Sequence, residues 1–238
     1  NVNAYGKDLD ENKDFSDLLE AVALTGIDRL RFTTSHPWDF SSKMLQIISK
    51  YPNIMNNIHL PVQSGNDEIL KLMGRRYDSK KYLDLVKEMK ETMPNLTLST
   101  DIIVGFPNET EEQFLDTLKL VDEVKYDSAF TFIYSPRKGT PAAKMTDNVT
   151  YNEKVVRFKE LVKHLEKTIS ESAEKMVGNV YKVLVDGPSK TDKNMYSGYT
   201  ECNRLIHFKG DETLVGQIVE VRITENKVYS LKGELVNG

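Results

Sequence analysis

Residues 59 to 77 read His-Leu-Pro-Val-Gln-Ser-Gly-Asn-Asp-Glu-Ile-Leu-Lys-Leu-Met-Gly-Arg-Arg-Tyr, and residues 101 to 107 read Asp-Ile-Ile-Val-Gly-Phe-Pro. Each stretch is an apolar strand that ends in polar groups and a Gly or Pro break, and then leads into a helix. Two such units in succession predict parallel strands whose carboxyl ends are neighbours. Gln63, Ser64 and Asp101 would then lie together at the sheet edge where barrel-type α/β folds hold small ligands.

The bulk composition limits the class of protein. The 238 residues suffice for one large domain, or for a medium domain with a small companion. No apolar run approaches the roughly 18 residues that span a membrane, so we expect no membrane partner and a cytoplasmic location. The single cysteine, Cys202, excludes an internal disulfide. Because the net charge is −4, a nucleic-acid contact would need a local basic patch.

The first 150 residues predict alternating strands and helices. Strands are predicted over 27–34, 58–62, 96–104 and 129–134. Helices are predicted over 14–25, 42–50, 66–74, around 82–93, and from Thr110, where Thr-x-x-Gln forms a capping box. This order, with its short links, is typical of parallel strand–helix units.

The pattern changes near Gly178. A long helix is predicted from Thr150 to about Met176, whereas residues 179–236 hold short alternating strands separated by Gly and Asn turns. We therefore predict two domains, residues 1–171 and residues 172–238. A domain as small as the second buries only about 60% of its unfolded surface, so we expect it to pack on the long helix. The opening Asn-Val-Asn-Ala-Tyr-Gly has no initiator Met, and we expect an excerpt of a longer chain.

Several motifs occur together. They are Asn1-Val-Asn-Ala-Tyr-Gly6, Phe32-Thr-Thr-Ser-His-Pro37, His59-Leu-Pro-Val-Gln-Ser-Gly65, Ser99-Thr-Asp-Ile-Ile-Val-Gly-Phe-Pro107, Ser135-Pro-Arg-Lys-Gly-Thr-Pro-Ala-Ala143, Val185-Asp-Gly-Pro-Ser-Lys190 and Asn203-Arg-Leu-Ile-His-Phe208. Over essentially the whole chain these motifs resemble those of the radical S-adenosylmethionine (SAM) methylthiotransferases, most closely the MiaB-type tRNA methylthiotransferases. The last two motifs resemble the TRAM domain, an RNA-binding β-barrel. The resemblance implies an α/β fold: a partial (β/α) barrel of radical SAM type, followed by a small all-β, OB-like TRAM barrel.

The resemblance also implies cofactors and a reaction. Family members use SAM, two [4Fe–4S] clusters and an electron donor, and they modify C2 of N6-isopentenyladenosine in the anticodon stem-loop of tRNA by radical methylthiolation. One cluster is held by a Cys-x3-Cys-x2-Cys loop, because its iron needs thiolate ligands. This chain has only Cys202, in the second domain, so we expect no metal ligands and no activity from it alone. His36 and His59 stand where a packed histidine is commoner than a ligand.

Other functions stay open. Sister enzymes act on threonylcarbamoyl-adenosine in tRNA or on a ribosomal-protein aspartate. Val62-Gln-Ser-Gly65 and Gly187-Pro-Ser-Lys190 favour the isopentenyladenosine branch. An alternative of another class is a non-catalytic RNA-binding module. Three cysteines at the family spacing in the upstream reading frame would support the enzyme.

The resemblance places SAM across the strand ends. Gln63 and Ser64 would meet its nucleoside or methionine part, and Asp101 would accept hydrogen bonds from the ribose hydroxyls. Arg75 would pair with the methionine carboxylate, which its planar guanidinium matches. Taken without the family, Arg75 is a solvated charge at a helix end, and Asp101 is a cap or a salt-bridge partner. Asn3 and Ser35 are weaker candidates for the amino end of SAM, and Phe132 and Tyr134 are candidates for stacking on adenine.

Basic groups interleaved with aromatic side chains in the second domain predict RNA binding. The basic candidates are Lys190, Arg204 and Lys209, and the aromatic neighbours are Tyr196, Tyr199, His207 and Phe208. Residues 177–238 contain eight Lys or Arg and eight Asp or Glu, so the domain is not basic overall. In the first domain, Arg137 and Lys138 follow the last predicted strand and are candidates to hold a substrate phosphate.

Overall fold

A computed structural model describes residues 4–6, 8, 13–33, 36–190, 192 and 194–236. An α/β unit comes first, with three strands, β1 (Asn57–His59), β2 (Thr97–Val104) and β3 (Ser128–Ile133). Its helices are α1 (Phe15–Ala23), α2 (Ser42–Lys50), α3 (Asp67–Leu72), α4 (Ser79–Thr92), α5 (Glu111–Val124) and α6 (Tyr151–Glu174). Among the described helices, none is long and apolar enough to cross a membrane.

The three strands form a parallel sheet in the order β1-β2-β3. One face of β2 is covered, because Leu98, Ile102 and Val104 belong to the same buried core as the apolar residues of the surrounding helices. Ser99 and Asp101 alternate with these residues and point to the other, concave face. The helices begin where the sequence predicts: the capping boxes at Thr110 and Thr150 are both formed.

The predicted strand over 27–34 is wrong for the residues that the structure describes there, 27–33. Leu30 makes one isolated bridge, in which its N–H donates to the Asn53 carbonyl and its carbonyl accepts from Met55. Asn53 lies in a turn, and its side-chain amide donates to the carbonyls of Ala23 and Ile27. Among the described residues of the segment, this bridge is the only strand-like pairing.

The second unit is a closed barrel in the order β4-β5-β6-β8-β7. Its strands are β4 (Val180–Pro188), β5 (Tyr196–Thr200), β6 (Leu205–Phe208), β7 (Ile218–Asn226) and β8 (Leu231–Leu235). Side chains from β4, β6, β7 and β8 fill the interior, Tyr196 of β5 packs against them, and Ala173 and Met176 from the end of α6 join them. The long helix therefore completes the core of the barrel, as predicted. It ends at Glu174, three residues beyond the proposed domain boundary, which itself stays a prediction.

Candidate functional site

The carboxyl end of β1 carries a bulge that brings Gln63 beside Asp101. The N–H of Leu60 donates to the Ser99 carbonyl at 2.7 Å, and the N–H of Gln63 donates to the Asp101 carbonyl at 2.8 Å. The segment after β1 takes three steps from Leu60 to Gln63, whereas β2 takes two steps from Ser99 to Asp101. The segment after β1 therefore contains one extra residue. Gln63 takes up the difference with a φ of 69°, a backbone conformation uncommon outside glycine. The predicted adjacency of Gln63 and Asp101 is present, although the Gln63 side chain is largely buried.

Ser64 needs a correction, because its side chain points into the protein. It is fully buried, and its Oγ lies 3.4 Å from Thr117 Oγ1 on α5. The N–H of Gly65 donates to the same Thr117 hydroxyl at 2.9 Å. A Cβ on Gly65 would lie 2.6 Å from the carbonyl oxygen of Asp116, so only glycine fits this approach. Ser64 therefore fastens the loop to α5 and is removed from the SAM-binding candidates.

Asp101 stands on the concave face within a row of polar and aromatic side chains. Its Oδ1 lies 3.4 Å from His59 Nε2, and His59 Nδ1 lies 3.0 Å from Ser99 Oγ. Register pairs Asp101 with Phe130, whose ring meets the His59 ring edge-on at 6.0 Å between centroids. Phe130 and Phe132 are 60% and 51% exposed. The concave face thus offers a carboxylate beside accessible aromatic rings, and Phe132 stays a candidate for stacking.

Tyr134 is corrected as a stacking residue. Its ring packs edge-on against Phe106, with 5.1 Å between centroids, and the Lys154 ammonium lies over it at 5.4 Å. Lys154 itself is held by Asp147 at 2.5 Å. Since these side chains already occupy the ring, we do not assign it to adenine. The Tyr134 hydroxyl is buried and has no partner among the described residues.

Arg75 lies beyond the end of α3, beside the loop that carries Gln63. Its Nε is buried and has no hydrogen-bond partner in the described part of the chain. Burial, and next the nearby charge of Arg75, lower the pKa of His36. Burial raises the pKa of Tyr77 to about 12, and the Tyr77 hydroxyl donates to the carbonyls of Pro61 and Val62. A guanidinium with an unused buried N–H fits an anionic group such as a carboxylate.

The loop after β2 is held by a buried ion pair that the sequence pattern did not reveal. Glu109 accepts from the Gly105 N–H at 2.8 Å, and Arg157 on α6 donates to the Glu109 carbonyl at 2.8 Å. The two side chains also meet at 3.3 Å, and the outer partner of Arg157 is Glu111 at 3.2 Å. Burial raises the pKa of the Glu109 carboxyl, which the Gly105 N–H and Arg157 oppose. The pair fixes the backbone that follows Asp101.

Arg204 needs a correction as an RNA contact. Its side chain is 9% exposed and lies 3.4 Å from Asp127 Oδ1, just before β3. Asp127 also accepts from the Leu98 N–H at 2.8 Å and from the Ser172 hydroxyl. Arg204 therefore joins the barrel to the amino ends of the strands. A cleft of about 1050 Å³ beside this junction is lined by groups of both charge signs, among them Lys90 and Glu201, and lies away from the strand ends that carry Asp101.

The remaining basic candidates form two separate sets. Lys190 and Lys209 are exposed and lie at the same end of the barrel. They come shortly after Pro188 and Phe208, which are both paired with Tyr196 of β5. The other end carries the turn that contacts the amino end of β2, where Thr97 donates to the Cys202 carbonyl. Arg137 and Lys138 are exposed beyond the carboxyl end of β3. The two sets thus lie toward opposite ends of β2, whose 8 residues extend for about 23 Å at about 3.3 Å per residue.

The residues present fit SAM but do not fit an iron–sulfur cluster. Cys202 is buried, burial raises the pKa of its thiol, and it lies 3.1 Å from the Thr200 hydroxyl at the junction of the two units. A cluster needs several thiolates, and the described residues contain no group of three or more His, Cys, Asp or Glu that could hold a metal ion. Arg75 offers a free N–H and Asp101 a half-exposed carboxylate. The candidates Asn3 and Ser35 lie outside the described residues.

Comparison with known proteins adds independent findings. Residues 2–121 match the family model described as the radical SAM superfamily, and residues 174–236 match the one described as the TRAM domain. A protein of Geobacillus kaustophilus named tRNA-2-methylthio-N(6)-dimethylallyladenosine synthase is 51% identical over 238 residues, 100% of this chain and 45% of that one. A protein of the same name from Staphylococcus aureus (strain JH9) is 52% identical over 237 residues, 99% of this chain and 46% of its own length. The chain thus spans about half the length of these relatives.

A solved structure supports the fold. Coproporphyrinogen III oxidase from Escherichia coli, described as a radical SAM enzyme, superposes with a TM-score of 0.54 at 14% identity, over 79% of this chain and 51% of that one. Together with the closed five-strand barrel, this confirms the predicted architecture of a partial barrel followed by an OB-like barrel.

Proposed function

Because this chain belongs to the radical SAM superfamily and carries a TRAM domain, we propose that it forms part of a tRNA methylthiotransferase. The reaction is SAM-dependent methylthiolation at C2 of N6-isopentenyladenosine next to the anticodon. One observation carries the proposal: about half of all positions are identical to the named relatives, over alignments that cover both units. A likeness restricted to the α/β unit would have supported only the superfamily.

The concave face and the adjoining loop are the proposed SAM site. Arg75 would pair with the amino-acid carboxylate of SAM, because its Nε is buried and unused by the described residues. Asp101 would accept the ribose hydroxyls, the Gln63 segment would line the nucleoside, and Phe132 would offer a ring to the adenine. One SAM molecule would supply the radical and a second would supply the methyl group, while the protein orients and shields the reactants. The thiolates that a cluster needs are not among these 238 residues, whose single cysteine is Cys202.

The tRNA is the proposed partner, and its anticodon stem-loop is the proposed element of contact. Arg137 and Lys138 are exposed beyond the carboxyl end of β3, and they would meet phosphates close to the reacting nucleoside. Lys190 and Lys209 would hold a more distant part of the same RNA. An electron donor and a cytoplasmic location follow from the same proposal.

The modified nucleoside tests the function directly. We expect deletion of the gene to remove 2-methylthio-N6-isopentenyladenosine from tRNA and to leave N6-isopentenyladenosine in its place. Mass spectrometry of nucleosides from total tRNA measures both. Loss of the methylthio group from threonylcarbamoyl-adenosine, or from a ribosomal-protein aspartate, would assign the chain to a sister enzyme instead. A complementing copy of the gene provides the control.

RNA binding by the barrel is tested by its dependence on salt. Each phosphate neutralised on single-stranded RNA contributes about −0.7 to the slope of log K against log salt concentration. We expect the double substitution Lys190→Ala and Lys209→Ala to make the slope for tRNA less steep by about 1.4. Lys182→Ala is the matched control, because Lys182 is an exposed lysine on β4 toward the other end of the barrel. An unchanged slope in the double variant would exclude these two lysines.

A further inference from the structure

We propose that His59 is a positioning residue that fixes the orientation of the Asp101 carboxylate on the concave face. The inference rests on the proposed function, in which Asp101 accepts hydrogen bonds from the ribose of SAM. His59 lies at the carboxyl end of β1, and the proposed SAM site assigns it no contact with SAM. A chain of contacts that runs from Ser99 through the imidazole to Asp101 supports the inference.

The contacts of the ring select one tautomer. Ser99 Oγ lies 3.0 Å from Nδ1, and Asp101 Oδ1 lies 3.4 Å from Nε2. A carboxylate only accepts hydrogen bonds, so the proton belongs on Nε2, and the serine hydroxyl donates to Nδ1. Ser99 thus orients His59, and His59 presents an N–H to Asp101. At 3.4 Å this is a polar contact longer than an ideal hydrogen bond.

No other described side chain restrains Asp101. Its backbone carbonyl is used by Gln63 and its cross-strand neighbour is the apolar ring of Phe130, and neither contact acts on the carboxylate. Oδ2 has no partner among the described residues, and the side chain is 30% exposed. The carboxylate would therefore rotate freely without His59. With His59 in place, Oδ1 faces the imidazole at 3.4 Å, and Oδ2 remains for the ligand.

The rigidity of His59 supports this role. Its side chain is 14% exposed, and the Phe130 ring packs against it edge-on. Ser99, its other partner, is 4% exposed and belongs to the hydrogen-bonded middle strand of the sheet. The sheet thus holds the imidazole through Ser99, and the imidazole in turn holds the Asp101 carboxylate. A site held through such a second contact loses less rotational freedom when the ligand binds.

Two amide variants separate the two contacts of the imidazole. In the full-length, cluster-loaded protein, His59→Gln places an amide N–H near the position of Nε2, whereas His59→Asn places one near Nδ1. We expect His59→Gln to keep the SAM dissociation constant, measured by calorimetry, within about threefold of wild type. We expect His59→Asn to weaken SAM binding by about tenfold, which equals about 1.4 kcal/mol. Thermal midpoints of the two variants should agree, so that a difference in affinity reports orientation rather than folding.

Asp101→Ala serves as reference and as background for the other variants. It should weaken SAM binding at least as much as His59→Asn, and in its presence His59→Asn should add nothing, because the histidine then has no carboxylate to hold. Additive effects, or equal losses in the Gln and Asn variants, would overturn the positioning role. Full affinity in both His59 variants beside a weakened Asp101→Ala would overturn it as well, while leaving the SAM site intact. Unchanged affinity in Asp101→Ala would instead remove the site assignment of the proposed function, and His59 with it.

Discussion

Replacing Asp127 with alanine is expected to destabilise the protein by about 3 to 5 kcal/mol, the usual result of leaving a buried charge without its partner. Asp127 is 15% exposed and Arg204 is 9% exposed, so water replaces little of the lost interaction. The substitution also removes the acceptor for the Leu98 N–H and the Ser172 hydroxyl. Urea unfolding followed by circular dichroism measures the loss. The barrel should also become more susceptible to proteolysis near the end of α6.

Two further variants show whether the buried pair is responsible. Asp122→Ala removes an exposed carboxylate that pairs with His164, and it should cost less than about 1 kcal/mol. Combining Asp127→Ala with Arg204→Met removes both charges, so the double variant should be more stable than Asp127→Ala alone. If the single variant unfolds at the same urea concentration as wild type, the junction of the two units does not depend on this pair.

Arg157→Met is expected to cost about 3 to 5 kcal/mol near neutral pH, since it leaves the Glu109 carboxylate buried without its cation. The cost should shrink as the pH falls. Burial already raises the pKa of Glu109 above its ordinary value, and removal of Arg157 raises that pKa further. A carboxyl with a raised folded-state pKa binds a proton more tightly in the folded than in the unfolded state, so its contribution to stability is lost as the pH rises through that pKa. Urea unfolding at pH 5.5 and at pH 7.5 compares the two conditions.

Glu111→Gln is the matched control for this prediction. Glu111 is the other carboxylate that Arg157 contacts, but its side chain is 57% exposed. We expect this variant to lose less than about 1 kcal/mol, with the same loss at both pH values. A penalty for Arg157→Met that does not change between the two pH values would mean that Glu109 is not the group left unpaired.

Local sequence rules predicted most of the fold. The apolar run of β2 and the capping boxes at Thr110 and Thr150 are short-range signals, and all three appear where expected. The change to period-two alternation after Gly178 likewise predicted the barrel. The strand expected over 27–34 fails because its partner is a turn around Asn53 rather than a second strand. Periodicity indicates that a segment can form a strand, but it does not indicate which segment will pair with it.

The candidate site divides in the same way. Asp101 could be assigned from its place in an apolar strand, and Arg75 from the resemblance to the family. Ser64 was assigned by its place at a strand end and by the family resemblance, and Arg204 was assigned as a basic group among aromatic ones. Their partners, Thr117 and Asp127, lie 53 and 77 residues away in the chain. Contacts across such separations decide whether a polar side chain faces a ligand or the interior. No spacing rule reports them.

A single helix, α6, contacts both units of the protein. The first turns of α6 hold the loop after β2 through Arg157, and its last turns meet the barrel at Ser170, whose carbonyl and hydroxyl accept from the Asn226 amide. Its 24 residues extend for about 36 Å. Fraying at either end would expose core residues of one unit and loosen the support of the other. We therefore expect the amide protons of β2 and of β7 to exchange with solvent through one common opening, with similar protection factors. Two separately folding modules would instead show independent protection factors.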